Sequence, residues 1–290
     1  MAEALQPPPT NVILAAVHAA LEEDGAADDV TTSALVNPEQ WARGTFVAKD
    51  DGVVAGLPVA AAAMTAIDPS VSFDTLVADG MRVSAGAELA EVEGPAAALL
   101  ASERVSLNFL QRLSGIATLT RAYVDAVAGT SARILDTRKT TPGLRHLERY
   151  AVRAGGGSNH RFNLSTGVLV KDNHIAIARQ AGLVDLEQVV GQARAGAPHT
   201  MRVEVEATSV EQVKDALAGG AEVVLLDNMT VEQVRAAVEL IGGRAIVEAS
   251  GGITLENVRS IAEAGVQLIS VGRLTHSAPA LDISLELDGV

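Results

Sequence analysis

The chain has no cysteine, so it can form neither a disulfide nor a thiolate metal site, and it offers no cysteine nucleophile. Aromatic residues are nearly absent, at 2%. A core must then be assembled from Val, Leu, Ile and Ala, a choice that suits strands buried on both faces and closely packed helices. Positive charge is also in short supply: the formal net charge is −14, which argues against a nucleic-acid partner. The apolar segment 12–21 is too short to span a bilayer, carries His18 and runs into Glu22-Glu23-Asp24. The opening MAEALQPPPT lacks the basic end and apolar run of a signal peptide. There is no GxxxxGK[ST] stretch, so a P-loop triphosphatase is not supported. The expectation is a cytoplasmic protein with no membrane association.

What is present reads as globular. Hydrophobic residues make up 48% and charged residues 20% of 290 positions, enough for one large domain and a smaller companion. Thr10 is placed to cap a helix running to about Glu23. Short segments broken by Asp-Gly turns at 51–52 and 79–80, and by Gly86 and Gly94, read as antiparallel strands around an Ala-rich helix near 57–66. A long helix is expected from about Pro95 to Val127, broken at Ser114-Gly115, with Val105, Phe109, Leu113 and Ile116 on one face. By spacing alone, Arg104 and Arg112 flank that stripe as solvated edge charges.

After Ser131 the rhythm changes. The runs ARILD, GVLVKD, MRVEVE, EVVLLD, AIVEAS and QLISVG recur, with helices expected at 186–195, 209–218, 230–241 and 254–264. Alternating buried strand and helix signals a parallel sheet or α/β barrel. Glu206, Asp227 and Glu248 are spaced 21 residues apart, and Gly272 follows 24 later. Each run stops at a charged residue or glycine, and in such folds the carboxyl ends of the strands converge on the ligand.

Between Arg133 and Lys171 eight Lys or Arg stand against two acids, a cationic island suited to a substrate with several negative groups. Arg149 and Arg153, on an expected surface helix 143–154, are read as solvated. Arg138, Lys139, Arg161 and Lys171 lie beside strand ends or the Gly155-Gly156-Gly157 loop and are the candidate ligands. Glu206 and Asp227 can serve as acid and base, as a divalent-metal site or as partners for sugar hydroxyls. With no His or Cys beside them a protein-only zinc site is disfavoured, and magnesium carried in by a phosphorylated substrate fits better. Ser250-Gly251-Gly252 and Val271-Gly272-Arg273 let backbone N–H groups approach a phosphate.

The stretch from Ile134 to Ile175, ILDTRKTTPGLRHLERYAVRAGGGSNHRFNLSTGVLVKDNHI, closely resembles the signature region of the quinolinate phosphoribosyltransferases. SERVSLNFLQRLSGIAT (102–118), VEVE (203–206), LLDN (225–228), EASGGI (248–253) and SVGRLTHS (270–277) resemble that family in its order, as does DVTTSAL at 29–35. The resemblance implies an N-terminal α/β sandwich domain, 1–115, that the segment 277–290 is a candidate to join. An open, incomplete α/β barrel of the type II phosphoribosyltransferases, 116–276, would follow. It implies transfer of a phosphoribosyl group from phosphoribosyl pyrophosphate to quinolinate with decarboxylation, giving nicotinate mononucleotide, pyrophosphate and CO2 in NAD biosynthesis. Arg104, Thr137, Arg138, Lys139, His160, Arg161 and Lys171 would hold the dicarboxylate and diphosphate. Glu206 and Asp227 would face the ribose hydroxyls and magnesium, with Lys139 and Lys171 completing the catalytic set. Ser250, Gly251, Gly252, Val271, Gly272 and Arg273 would hold the 5-phosphate. Magnesium is the implied cofactor, with no organic one, and the implied assembly is a homodimer or multiple of dimers with shared sites. Two alternatives are a phosphoribosyltransferase for another aromatic acid, which would need fewer cations, and a non-catalytic relative, which should have lost Glu206, Asp227 or Lys171.

Overall fold

The computed structural model describes residues 5–289; the first four residues of the opening stretch read for a leader, and Val290, lie outside them. In chain order the elements are α1 (Thr10–Asp24), α2 (Val30–Leu35), β1 (Trp41–Ala48), β2 (Gly52–Val53), α3 (Leu57–Ile67), β3 (Ser72–Thr75), β4 (Arg82–Val83), β5 (Glu88–Pro95) and α4 (Ala96–Ala126). There follow β6 (Arg133–Leu135), α5 (Arg145–Ala154), β7 (Val168–Val170), α6 (Asp172–Gln180), α7 (Leu186–Gly196), β8 (Val203–Ala207), α8 (Val210–Ala218) and β9 (Val223–Asp227). The chain finishes with α9 (Val231–Ile241), β10 (Ile246–Ser250), α10 (Val258–Glu263), β11 (Leu268–Ser270), α11 (Arg273–His276) and β12 (Ile283–Gly289). Two compact units result. The first comprises the chain up to Arg121, Lys139–Gly156 and the chain from Arg273; the second is Ala122–Arg138 with Gly157–Gly272.

The first unit is a sandwich of helices on an antiparallel sheet of order β12-β1-β5-β3. Alternate residues of β1 face inward, so Phe46 and Ala48 meet Met64 of α3, Leu89 and Ala90 of β5, and Leu99 and Leu110 of α4 in one apolar cluster. With so few aromatics the layers approach closely through Ala48, Ala60 and Ala90, all fully buried. β12 adds the last strand, pairing Ile283–Gly289 with β1 in a register that sets Leu285 opposite Phe46.

Four local readings of this unit change. Thr10 does not cap α1: Pro9 is the extended residue before the helix, and Thr10 is already helical. A proline at that boundary supplies the turn into the helix while lacking an N–H of its own. Second, α4 runs unbroken for 31 residues. Ser114 spends its hydroxyl on Ala55, accepting its N–H at 3.0 Å and donating to its carbonyl at 3.2 Å, and Gly115 lies against Pro279 with no room for a Cβ. That pair is a packing notch, which leaves the helix intact. Third, Arg112 is no solvated edge charge. It donates to the fully buried carboxylate of Glu148 (2.8 and 3.3 Å) and to the carbonyls of Thr275 and Ala278. Fourth, Arg149 is buried because α5 is covered on nearly every side, although Arg153 is exposed and donates to the Gln6 carbonyl at 2.6 Å.

The second unit is a six-stranded, wholly parallel sheet of order β6-β11-β10-β9-β8-β7, the strand component of an open α/β barrel. β6 and β7 do not pair; instead Ser158 bridges in parallel to Leu135 beside β6. Helices α6 to α10 connect the strands, and Val205, Val224, Val213, Ala216 and Ala237 are completely buried among them. α10 starts later than expected, at Val258. Asn257 takes the Thr254 N–H at 2.8 Å and donates to the Gly252 carbonyl at 2.9 Å, so residues 254–257 form a turn. None of the described helices is long and apolar enough to cross a membrane.

Candidate active site

Parallel pairing sets six strand ends side by side in the second unit. Thr137 and Arg138 follow β6, Val271 and Gly272 follow β11, and Ser250 ends β10 with Gly251 and Gly252 beyond it. Asp227 ends β9 in register with Ser250. Glu206 lies near the end of β8, opposite Leu225. Lys171 follows β7 and immediately precedes α6. Every strand end singled out by the sequence is therefore on the carboxyl side of one sheet.

The carboxylates and cations there are linked. Lys171 Nζ is 3.2 Å from Glu206 Oε2, with the lysine nearly half exposed and the glutamate mostly buried. Asp227 accepts from Asn228 Nδ2 at 2.7 Å. Asn228 is the one described non-glycine residue with positive φ, at 54°, held by its N–H to the Ser250 carbonyl at 2.9 Å. Gly251, at φ 78°, sits so close to the Asn228 side chain that a Cβ could not be placed. The glycine pair after β10 thus lets the backbone double back against the Asp227-Asn228 corner.

Arg161 and His160 stand on the loop that bridges to β6. Asp136, fully buried, fastens that loop: its carboxylate accepts the His160 N–H at 2.7 Å and Asn159 Nδ2 at 2.6 Å. Arg161 donates to the Gly167 carbonyl at 2.9 Å. Burial, and after it the like charge of Arg138, hold the Arg161 guanidinium below its ordinary pKa.

Behind Arg161 the imidazole of His160 reaches two strands. Its Nε2 lies 3.4 Å from Glu204 Oε2 on β8 and 3.4 Å from Glu248 Oε1 on β10. Both glutamates are buried, with 8% and 2% of their surface exposed. Burial alone would lower the His160 pKa, but the two carboxylates pull it up, to about 10. A second ring proton would have to sit on Nδ1, which accepts the Arg161 N–H at 2.7 Å. That contact sets a ring proton on Nε2, between the two carboxylates. Burial raises the Glu204 pKa, the His160 contact opposes this and the Glu248 charge adds to it. Both ring nitrogens are thus engaged by the protein. The trio lines a cavity of about 430 Å³, together with Arg133, Arg161 and Arg202. Glu204 was overlooked in the sequence, although the VEVE alternation sets it on the same face of β8 as Glu206.

Arg104, Lys139 and Arg273 belong to the first unit. All three are exposed: Arg104 on α4, Lys139 with its carbonyl accepting Thr275 Oγ1 at 2.7 Å, and Arg273 at the start of α11.

Comparison with known proteins covers nearly the whole chain. Residues 29–114 match the family description "Quinolinate phosphoribosyl transferase, N-terminal domain", and residues 116–286 match its C-terminal domain. A probable nicotinate-nucleotide pyrophosphorylase (carboxylating) of Bacillus subtilis is 44% identical over 270 residues, spanning 93% of this chain and 91% of the relative. A chloroplastic nicotinate-nucleotide pyrophosphorylase (carboxylating) of Oryza sativa is 43% identical, with 97% and 79% covered. The crystal structure of NadC from Streptococcus pyogenes is similar at a TM-score of 0.92 and 41% identity, covering 98% of this chain and 99% of that one.

Proposed function

We propose a course of reaction from one premise: the chain belongs to the quinolinate phosphoribosyltransferase family. It is a decarboxylating pentosyltransferase that makes nicotinate mononucleotide for NAD biosynthesis, releasing pyrophosphate and CO2. The observation that carries the residue-level reading is the gathering of opposite charges at one set of strand ends. Arg138 follows β6 at one edge of the sheet and Lys171 follows β7 at the other, with Glu206 on β8 and Asp227 on β9 between those edges and Lys171 paired to Glu206. Arg161, on the loop after Ser158, lies near enough to Arg138 to feel its charge. The like charge of Arg138 adds to burial in lowering the Arg161 pKa, and an anion beside the two guanidiniums relieves their repulsion. A pyridine dicarboxylate supplies two such anions.

In this reading Thr137, Arg138, Arg161 and Lys171 bind the dicarboxylate, the first two from the end of β6 and the last from the end of β7, and His160 serves it by holding Arg161. Lys139 and Lys171 offset the charge that develops on the departing pyrophosphate. Glu206 and Asp227 accept hydrogen bonds from the ribose hydroxyls and face the positive charge that builds on the sugar. The turns at Ser250, Gly251 and Gly252 and at Val271, Gly272 and Arg273 receive the 5-phosphate through backbone N–H groups. Holding the pyridine nitrogen opposite the leaving group supplies much of the acceleration. Once that nitrogen is alkylated and cationic, the adjacent carboxylate leaves as CO2, because the resulting carbanion lies beside the charge, and that carbon then takes a proton from solvent.

Magnesium fits the donors: Glu206 and Asp227 offer hard carboxylate oxygens near the end of adjacent strands, where an ion arriving with the diphosphate and keeping its waters would be held. When bound, the ion neutralises diphosphate charge. We further read the assembly as a homodimer, or a multiple of dimers, in which the exposed Arg104 completes the partner's site. The test is direct. Purified protein mixed with quinolinate, phosphoribosyl pyrophosphate and magnesium should release CO2 and pyrophosphate in equal amounts; nicotinate in place of quinolinate should not support pyrophosphate release. Turnover with nicotinate at a comparable rate would overturn the dicarboxylate assignment.

A further inference from the structure

We propose that Glu204 and Glu248 are positioning residues for Arg161, acting through the ring of His160. The inference rests on the reading that Arg161 holds the substrate's carboxylate, and it deepens that reading.

Two buried glutamates converging on one imidazole are costly. Each carboxylate has left water, and Glu204 Oε1 finds no hydrogen-bond partner among the described residues. Glu248 Oε1 faces Nε2 at 3.4 Å outside good hydrogen-bond geometry. A core position retains such a group for stability only when it is well paired, and this one is not. What the pair does accomplish is geometric. Glu204 stands on β8 and Glu248 on β10, with β9 between them. A ring that must point Nε2 at both strands has little freedom to turn. Its Nδ1 is then fixed where it accepts the Arg161 N–H at 2.7 Å. Asp136 fixes the same loop one peptide earlier, through the His160 N–H. Arg161 is thereby held at its backbone from both sides, while its guanidinium is held by the Gly167 carbonyl.

A metal does not fit this trio, although the three ligand atoms lie within 4.8 Å of one another. An imidazole that binds a cation through Nε2 keeps its proton on Nδ1 and donates it. Here Nδ1 accepts from a backbone N–H, which leaves no place for that proton.

Replacing Glu248 separates position from stability. In Glu248→Leu the KM for quinolinate should rise about tenfold or more, while the KM for phosphoribosyl pyrophosphate stays within about twofold. The melting temperature should hold or rise, since an ill-paired buried charge is gone. Glu248→Gln keeps an oxygen facing Nε2 without the charge and should restore the quinolinate KM. Amide hydrogen exchange at Arg161 should quicken in the leucine variant and remain slow in the glutamine one, a readout independent of turnover. That measurement distinguishes a failure of this inference from a failure of the assigned reaction. An unchanged quinolinate KM in Glu248→Leu, or an equal rise in both KM values, overturns the positioning role. Calorimetric Zn2+ binding that vanishes in Glu248→Gln would overturn it too, by making the trio a metal site.

Discussion

Replacing Arg112 by leucine tests the burial argument where its consequences are largest. The guanidinium of Arg112 meets a Glu148 carboxylate with no exposed surface, so its removal strands a charge inside the first unit. Breaking one side of a buried pair costs roughly 3–5 kcal/mol. Glu148 would still accept the Thr141 N–H at 3.0 Å and Thr141 Oγ1 at 2.7 Å, which places the expected cost near the lower end, about 3 kcal/mol. For a unit of this size each kcal/mol moves the melting temperature by about 2–4 °C, so Arg112→Leu should melt roughly 6–12 °C below the parent in a calorimetric scan. The double variant Arg112→Met with Glu148→Leu removes both charges and should recover more than half of that loss. A single variant melting within about 2 °C of the parent would refute the reasoning, as would a double variant less stable than either single one.

The other predictions concern turnover and assembly. Lys171→Ala should fold, judged by circular dichroism, yet lose about a hundredfold or more in kcat, equivalent to ~3 kcal/mol of transition-state stabilisation; near-normal activity would remove Lys171 from the catalytic set. Replacing Glu206 or Asp227 by alanine should weaken phosphoribosyl pyrophosphate more than quinolinate in titration calorimetry, and the opposite order would place those carboxylates elsewhere in the chemistry. For Arg104, the inactive Arg104→Ala and Lys171→Ala proteins are unfolded together, mixed equally and refolded. If Arg104 serves the neighbouring subunit, mixed dimers gather both lesions in one site and free the other, so about a quarter of all sites recover. Mixed dimers shown to form without activity would exclude a shared site.

The parallel sheet was legible because each strand is a short apolar run ending at a charge or glycine, and that rhythm is independent of distant packing. Glu206, Asp227 and Ser250 could be set at strand ends for the same reason. Readings that depended on what covers a residue fared differently. Arg112 and Arg149 look like solvated helix charges by spacing, but α5 is enclosed and Glu148 draws Arg112 inward. Ser114-Gly115 looks like a helix break until Ala55 and Pro279 are placed against it. The His160 trio joins three segments scattered over about ninety residues, and its one local trace was the alternation at Glu204.

The strand that closes the first unit's sheet is, of the described strands, also the last to be synthesised. β1 emerges early, and its partner Ile283–Gly289 follows more than two hundred residues later, after the whole of Gly157–Gly272. Until then one side of β1 carries a row of unsatisfied backbone donors and acceptors, the kind of edge on which chains aggregate. Pairing at such separation is slow, because a long loop must close before any contact rewards it. The second unit, nearly continuous in sequence, can complete its sheet while the nascent chain still lacks β12. Folding order is therefore inverted relative to synthesis: the part begun first is finished last, and a chain cut short before Ile283 would leave the β1 edge permanently open.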